Sequence, residues 1–214
     1  MSTPDTDTPD ADALVERILR ATDDEEKRQI YAEWADCYDD DLDDSGYVAP
    51  GIAVDLLEHH ERGRAKSVYD AGCGTGRVGR VLTRRGYSHV VGGDFSEEML
   101  EQARESGVYA DLRRDDYGEP LDLPDASFGA VIAVGVYGEG FRERFLDEMV
   151  RILAPGGILV FTARQGYWSR EVEDDIESLV RARAVEVLSA ERKPYALGSA
   201  STAWYACLRR RRPA

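Results

Sequence analysis

Residues that could bind a nucleotide lie close together between positions 68 and 79, where the chain reads VYDAGCGTGRVG. Asp70 comes first, and glycines follow at positions 72, 74 and 76. Glycine has no Cβ, so the backbone there can approach a ligand closely, and the helix predicted next would add free N–H groups and a positive dipole end. Because Asp70 would repel a pyrophosphate, the loop favours a nucleotide with a cationic group, such as the ammonium of an amino-acid moiety.

A dinucleotide is the alternative ligand of the same loop. The spacing Gly74-x-Gly76-x-x-Gly79 satisfies the dinucleotide-binding fingerprint, which keeps a nicotinamide-dependent oxidoreductase open. Asp94 follows the second predicted strand, 18 residues after Gly76. A carboxylate there can accept hydrogen bonds from both ribose hydroxyls of a nucleoside. Asp94 therefore predicts nucleotide binding without deciding between the two kinds of ligand.

Two further acids, Asp115 and Asp116, end the third predicted strand. A carboxylate at that edge of the sheet can accept a hydrogen bond from the exocyclic amine of adenine. The simpler interpretation is a turn with two solvated acids, and the pattern alone leaves both open.

The elements that must position these residues alternate between strand and helix from residue 67 onwards. Such alternation is typical of a parallel α/β sheet. The predicted strands are 67–70, 89–93, 108–113, 130–134, 158–163, 184–190 and 202–208, and the predicted helices are 76–85, 96–106, 141–153 and 171–181. Ser96 is the predicted N-cap of the second of these helices.

The first 60 residues follow a different pattern. Residues 1–10 are rich in Ser, Thr, Pro and Asp, which predicts disorder. Helices are predicted at 11–21, from Asp23 or Asp24 onwards, and at 49–60, with an acidic loop at 39–46. The middle helix carries one aromatic and aliphatic stripe, formed by Ile30, Tyr31, Trp34 and Tyr38. At 214 residues, the whole chain suits one compact domain.

Charge is concentrated at the N-terminal end. The formal net charge is −15, and residues 1–50 hold 16 acids against 4 bases. This face would repel nucleic-acid phosphates, so we expect no nucleic-acid partner. Abundant Asp with only three lysines suits a salt-rich cytoplasm, although a high-GC genome produces the same excess of arginine.

Compartment and metal use follow from the remaining composition. No stretch of about 18 apolar residues is present, and the N-terminus is acidic and polar, so we expect a cytoplasmic protein without a membrane partner. The three cysteines are far apart and suit a reducing compartment, with Cys73 packing inside the glycine loop. No Asp or Glu lies at a spacing from the three histidines that would indicate a metal site, so none is expected.

Four segments resemble, in order and spacing, the motifs of class I S-adenosylmethionine (SAM) methyltransferases. They are the Asp-x-Gly-x-Gly-x-Gly loop, Asp94, the turn 123–131 and the LAPGG segment 153–157, and the resemblance covers residues 65–165. The Pro-Gly-Gly turn favours a methyltransferase over a dehydrogenase. One departure is Gly129, which stands where the family usually has Asp and puts the rigidity of that turn in doubt.

The resemblance implies a fold and a division of the chain. The fold is α/β: a Rossmann-like three-layer sandwich with a mostly parallel seven-stranded sheet, the last strand antiparallel, and an N-terminal helical cap. Residues 1–10 would precede a cap at 11–62 and a Rossmann-like core at 63–214. The segment Tyr31–Asp39, the segment 46–50 and Lys193-Pro194-Tyr195 resemble the Williams–Beuren region methyltransferase-like proteins, in which the cap would fold over SAM.

The resemblance also implies SAM as the cofactor. Asp70 and the glycine loop would hold its methionine part and Asp94 its ribose, while Asp116, favoured over Asp115 by its spacing to Ser127, would bind adenine. The expected cofactor-binding residues are Tyr38, Tyr47, Asp70, Ala71, Gly72, Gly74, Gly76, Asp94, Phe95, Met99, Asp116, Tyr117 and Val134. Tyr38 and Tyr47 would face cofactor or substrate, unless they are simply core residues.

The resulting prediction is methyl transfer to a small-molecule acceptor, at O, N or C, by a monomer or homodimer. The acidic cap suggests a neutral or cationic acceptor. No Asn/Asp-Pro-Pro-Tyr/Phe motif is present, which disfavours methylation of DNA bases. The catalytic residue stays unassigned, with Tyr137, Glu139, Tyr167 and Tyr195 as candidate bases. A SAM-binding protein without catalysis is the remaining alternative.

Overall fold

The computed structural model describes residues 14, 17–18, 20–21, 24–35, 37–137, 142–164, 168, 170–197 and 201–212. The described helices are α1 (Asp24–Trp34), α2 (Tyr38–Asp44), α3 (Ala49–His60), α4 (Arg77–Arg84), α5 (Glu97–Glu105), α6 (Arg142–Ile152) and α7 (Arg170–Arg181). The strands are β1 (Val68–Ala71), β2 (Val90–Asp94), β3 (Asp111–Arg114), β4 (Phe128–Ala133), β5 (Leu153–Arg164), β6 (Val185–Pro194) and β7 (Thr202–Arg210). The predicted disorder of residues 1–10 and the candidate bases Glu139 and Tyr167 lie outside the described residues.

One seven-stranded sheet has the order β3-β2-β1-β4-β5-β7-β6. The first five strands in this order pair in parallel, and β7 pairs antiparallel with both β5 and β6. The chain leaves β1 towards β2 on one side, whereas β4 lies on the other side. This reversal opens a crevice at the carboxyl ends of the strands, where α/β sheets bind ligands.

Both faces of the sheet are covered by helices, which confirms the predicted three-layer α/β fold. Successive residues of a strand point to opposite faces. Val131 belongs to the hydrophobic cluster with Met149 of α6 and Ile176 of α7, whereas Ile132 belongs to the cluster with Leu57 of α3. The strands therefore need apolar residues at consecutive positions, as the sequence has.

The N-terminal helices divide between two environments. α3, which the sequence places within the cap, packs its Ala53, Val54 and Leu57 against the sheet and extends over the same residues as predicted. Leu14, Ile30 and Trp34 form a separate small cluster with the rings of Tyr31 and Tyr38. The range 11–62 that the sequence assigns to the cap therefore includes α3, a helix that packs on the sheet. The division of the chain into cap and core stays a prediction.

Two local predictions are wrong. The segment 39–46 is not a loop, because α2 extends over Tyr38–Asp44 with acids in its first turn, where the helix dipole stabilises them. The aromatic stripe is accordingly split between α1 and α2. The Pro-Gly-Gly segment does not simply end a helix: α6 ends at Ile152, and β5 already begins at Leu153, which pairs with Phe128 across a register shift. The remaining boundaries of the described elements differ by up to four residues, and most of the predicted helix 11–21 lies outside the described residues.

Candidate functional site

The glycine loop between β1 and α4 has the conformation that the sequence pattern predicts. Gly72 and Gly76 have φ values of 65° and 96°, which side chains rarely adopt. A Cβ at Gly72 would also clash with Cγ2 of Val136, in the loop after β4. The glycine therefore allows two loops to meet at the carboxyl edge of the sheet.

Asp94 ends β2 and holds this loop in place. Its Oδ2 accepts a hydrogen bond from the N–H of Gly74 at 2.8 Å, and its Oδ1 accepts one from the N–H of Ser96 at 3.0 Å. A carboxylate has about four lone-pair sites, so acceptor capacity remains for two ribose hydroxyls. Burial raises the pKa of Asp94 to about 6, although the backbone N–H groups counteract this. Ser96 caps α5 as predicted, since its Oγ accepts from the N–H of Met99.

Asp70 lies beneath the loop rather than on the surface of the crevice. It is fully buried, and its Oδ2 accepts a hydrogen bond from the Tyr109 hydroxyl at 2.7 Å. Its Oδ1 has no hydrogen-bond partner among the described residues. Burial raises the pKa of this carboxyl to about 7. The unpartnered oxygen fits a cationic ligand group, but the carboxylate does not line the cleft, so its contact with an ammonium stays a prediction.

Tyr117 joins the glycine loop to the neighbouring strands through its side chain. Its hydroxyl accepts from the N–H of Gly72 at 2.7 Å and donates to the carbonyl of Gly93 at 2.8 Å. Tyr69 completes the network by donating to buried Asp115 at 2.7 Å. The sequence places Tyr117 among the expected cofactor-binding residues, but the role of its hydroxyl in holding the glycine loop was missed.

Asp116, expected to bind adenine, is half-buried and accepts a hydrogen bond from the N–H of Gly118 at 2.9 Å. It does not line the cleft, and its contact with adenine stays a prediction.

The residues around the crevice line an open cleft of about 1120 Å³, a volume that includes the solvent at its mouth. The expected residues that line it are Tyr38, Gly72, Gly74, Asp94, Phe95, Met99, Tyr117 and Val134. Tyr47, Asp70, Ala71, Gly76 and Asp116 do not line it. Lining residues that the sequence did not single out as cofactor-binding are Ile18, Ala21, Lys27, Tyr31, Gly135, Val136, Tyr137, Thr162 and Arg164. Several of these residues follow β4 or lie at the end of β5. Because ligands bind at the carboxyl ends of parallel strands, their positions in the sequence could have indicated them.

The two tyrosines expected to face the ligand have different positions. Tyr38 lines the cleft, and its ring packs edge-on to Trp34 at 4.7 Å between centroids. Tyr47 does not line the cleft and packs against Tyr195, with ring centroids 4.9 Å apart and hydroxyls 3.3 Å apart. Burial raises the pKa of all three hydroxyls at Tyr38, Tyr47 and Tyr195, so none is a ready base at neutral pH.

A polar clasp on Asp39 ties α2 to the glycine loop. Oδ1 of Asp39 accepts a hydrogen bond from the Thr75 hydroxyl at 2.6 Å, and Oδ2 forms an ion pair with Arg80 at 2.5 Å. Arg77 donates to the backbone carbonyl of Asp39 at 3.1 Å and pairs with Asp43. The acids of the predicted loop therefore hold the cap against the loop that would bind the cofactor.

Two remaining side chains clarify the acid–base chemistry. The Tyr137 hydroxyl, a candidate base, donates to Asp175 at 2.9 Å and lines the cleft. Cys73 is buried against Leu100 and Ala103, and burial raises the pKa of its thiol, so it packs as predicted.

Within the described part of the chain, no group of His, Cys, Asp and Glu could hold a metal ion. No described helix is long and apolar enough to cross a lipid bilayer.

Comparisons with known proteins agree with this geometry. Residues 68–157 match the family described as "Methyltransferase domain". Human methyltransferase-like protein 27 is 33% identical over 156 residues, which are 72% of this chain and 64% of that protein. Human probable tRNA methyltransferase 9B is 35% identical over 99 residues, 44% of this chain and 20% of that protein. A chain from the complex between the Haloferax volcanii Trm112 methyltransferase activator and a methyltransferase has a TM-score of 0.69 at 18% identity, covering 87% of this chain and 98% of that one.

The chain belongs to the class I SAM-dependent methyltransferases. The predicted family and cofactor are thereby confirmed, and the likeness to the Haloferax chain shows the shared fold. The chain spans less than two thirds of the length of both human relatives. The cleft fits SAM because it combines a glycine loop, the spare acceptor capacity of Asp94 and the apolar side chains of Phe95 and Met99.

Proposed function

We propose that this protein transfers the methyl group of SAM to a small-molecule acceptor. The observation that carries the proposal is the length of the cleft, which continues past the cofactor-binding residues. Asp94 and Phe95 line it at the end of β2, whereas Tyr137 and Thr162 line it beyond β4 and within β5. A cofactor held at β2 and the glycine loop would leave the β5 end for a second molecule.

Each part of the cleft has its own task in this reaction. Asp94 would orient the ribose, and the positive-φ glycines would let backbone N–H groups approach the amino-acid part. When bound, SAM supplies an activated methyl group on a sulfonium. Tyr31 and Tyr38 from the cap side line the same cleft and would limit the access of water. Alignment of the two molecules in such a site supplies much of the rate, and a base is needed only if the acceptor arrives protonated.

The choice of a small acceptor rests on shape and charge. The lining residues come from several elements around one cleft, as in small-molecule sites. The chain carries 42 acids against 27 bases, which opposes the approach of a polyanion. The relative named for tRNA methylation makes RNA the competing acceptor, so the experiment must include it.

Calorimetric titration with S-adenosylhomocysteine (SAH) tests the cofactor site first, with NAD titrated alongside. Wild type and Asp122→Ala, which removes an exposed carboxylate outside the cleft, should bind SAH equally. Asp94→Ala should weaken binding about a hundredfold, because both a ribose contact and the anchor of Gly74 are lost. Binding of NAD in place of SAH would refute the proposal.

Labelled methyl transfer then tests the acceptor. Purified protein, methyl-labelled SAM and a small-molecule library form one arm, and total tRNA forms the other. Label in small molecules supports the proposal. Label in tRNA alone would replace the acceptor class, and label in neither arm despite SAH binding would favour a SAM-binding protein without catalysis.

A further inference from the structure

Arg164 places a positive charge at the far end of the cleft. It is the last residue of β5, where its neighbour across the sheet is Ala203 of β7. The side chain is half-buried and lines the cleft. Its guanidinium carbon lies 5.5 Å from the centroid of the Tyr195 ring. Stacking of this kind covers the face of a guanidinium and leaves the N–H groups on its edge available.

The platform under Arg164 is held firmly. Tyr195 donates its backbone N–H to Ser201 and accepts through its carbonyl from the N–H of Val48 at 3.0 Å. Its hydroxyl contacts the Tyr47 hydroxyl, and both rings pack together. A Cβ added at Gly135 would lie 2.8 Å from the hydroxyl oxygen of Tyr195, so this oxygen is packed closely against the backbone at Gly135. The guanidinium therefore rests on a ring fixed from several directions.

Within the described part of the chain, Arg164 has no carboxylate partner, unlike several other arginines. Arg77, Arg80 and Arg151 each pair with aspartate or glutamate. No ion pair of Arg164 occurs among the described residues. Taking a charge partly out of water is unfavourable without a counter-charge. An anion bound in the cleft would provide it.

The order of the strands separates this charge from the cofactor. Asp94 ends β2, the glycine loop follows β1, and β4 and then β5 come next across the sheet. Arg164 is therefore three strands away from the ribose-binding position. Thr162, two residues earlier on the same face of β5, is buried and accepts from the N–H of Gly135 at 2.9 Å. That bond keeps the intervening floor of the cleft in place.

We propose that Arg164 binds a carboxylate or phosphate group on the methyl acceptor, so that the substrate is a small anionic molecule. This inference rests on the proposed methyl transfer. It reverses the neutral or cationic acceptor that the acidic cap suggests, because local charge inside the cleft outweighs distant solvated acids. The guanidinium would recognise the anion by two parallel N–H···O bonds.

The test compares matched acid and neutral probes on SAH-loaded protein. The pairs are 4-hydroxybenzoate with 4-hydroxybenzamide, and phenyl phosphate with phenol, each titrated by calorimetry. Wild type should bind one acid at least about tenfold more tightly than its neutral partner. Arg164→Gln should abolish that preference, and Arg164→Lys should restore part of it. Arg192→Gln removes the same charge from an exposed position and should change nothing.

SAH titration of each variant separates the possible failures. If wild type binds no SAH, the proposed function itself fails. If wild type binds SAH but binds neither acid better than its neutral partner, the assignment of Arg164 is refuted. If Arg164→Gln lowers SAH affinity more than about twofold while Arg192→Gln does not, Arg164 binds the cofactor's own carboxylate, which also refutes it. If wild type prefers one of the two acids over its neutral partner, the identity of that acid shows whether Arg164 binds a carboxylate or a phosphate.

Discussion

The buried carboxyl of Asp70 makes a sharp prediction about stability and pH. Asp70→Asn keeps an oxygen that can accept from Tyr109, but it removes the group that ionises under the glycine loop. Burial raises the pKa of Asp70 to about 7 from an ordinary value of 3.8, so the folded state retains a proton that the unfolded chain has lost. The unfolded state thus binds fewer protons, and the free energy of unfolding falls as pH rises between these two values.

The size of this effect follows from the two pKa values. Between pH 5 and pH 8, a shift from 3.8 to about 7 removes about 2 to 3 kcal/mol from the free energy of unfolding. A change of this size is a large part of the stability of an ordinary domain. Between pH 5 and pH 8, the free energy of unfolding of Asp70→Asn should therefore fall by about 2 to 3 kcal/mol less than that of wild type.

Urea unfolding at pH 5 and pH 8 measures the difference directly. Asp94, whose pKa burial raises to about 6, contributes a loss in both proteins, and because its charge also raises the pKa of Asp70, the difference measures Asp70 together with its coupling to Asp94. Asp122→Asn, at an exposed position, is the control and should follow wild type. If Asp70→Asn and wild type lose equal free energy between the two pH values, then Asp70 ionises in the folded protein as it does in water, and the burial argument is wrong.

Three further predictions concern the cap, the loop and the charge of the chain. Asp39→Ala removes the contacts to Thr75 and Arg80, so SAH affinity measured by calorimetry should fall about tenfold; unchanged affinity would mean that the cap does not support the loop. Tyr117→Phe leaves the N–H of Gly72 without its buried acceptor and should lower the free energy of urea unfolding by about 1 to 3 kcal/mol, whereas a neutral result would require another acceptor for that N–H. If the acidic composition is an adaptation to salt, the melting temperature should rise from low to molar NaCl, and a flat profile would exclude that adaptation.

Much of the fold could be predicted because its signals are local. Alternating apolar runs and glycine turns mark the strands and helices from β1 onwards, and the hydroxyl of Ser96 marks the start of α5. Asp94 was predictable as well, since it depends on its position at the end of β2 and on the nearby glycine loop. The helix α2 was not, because two of its acids form ion pairs with Arg77 and Arg80 that no local pattern indicates.

The parts of the site that were missed depend on contacts between distant positions. Tyr109 meets Asp70 from 39 residues away, and nothing in either neighbourhood indicates that pairing. Tyr195 approaches Tyr47 from 148 residues away, and Arg164 becomes notable only once it lies over that ring. These relations follow from tertiary packing, so the sequence could name the residue types but not their partners.

The position of β7 in the sheet has a consequence for how the chain folds. β7 lies between β5 and β6, although it follows β6 along the chain, so the edge of β5 stays open until residues 202–210 insert. During that interval β5 presents unpaired N–H and C=O groups on an apolar strand, which invites pairing with other chains. Insertion of a late strand between two earlier ones is also a non-local step that slows folding. Refolding yield should therefore depend on protein concentration, and substitutions that weaken β7 should promote aggregation before they reduce binding in the cleft.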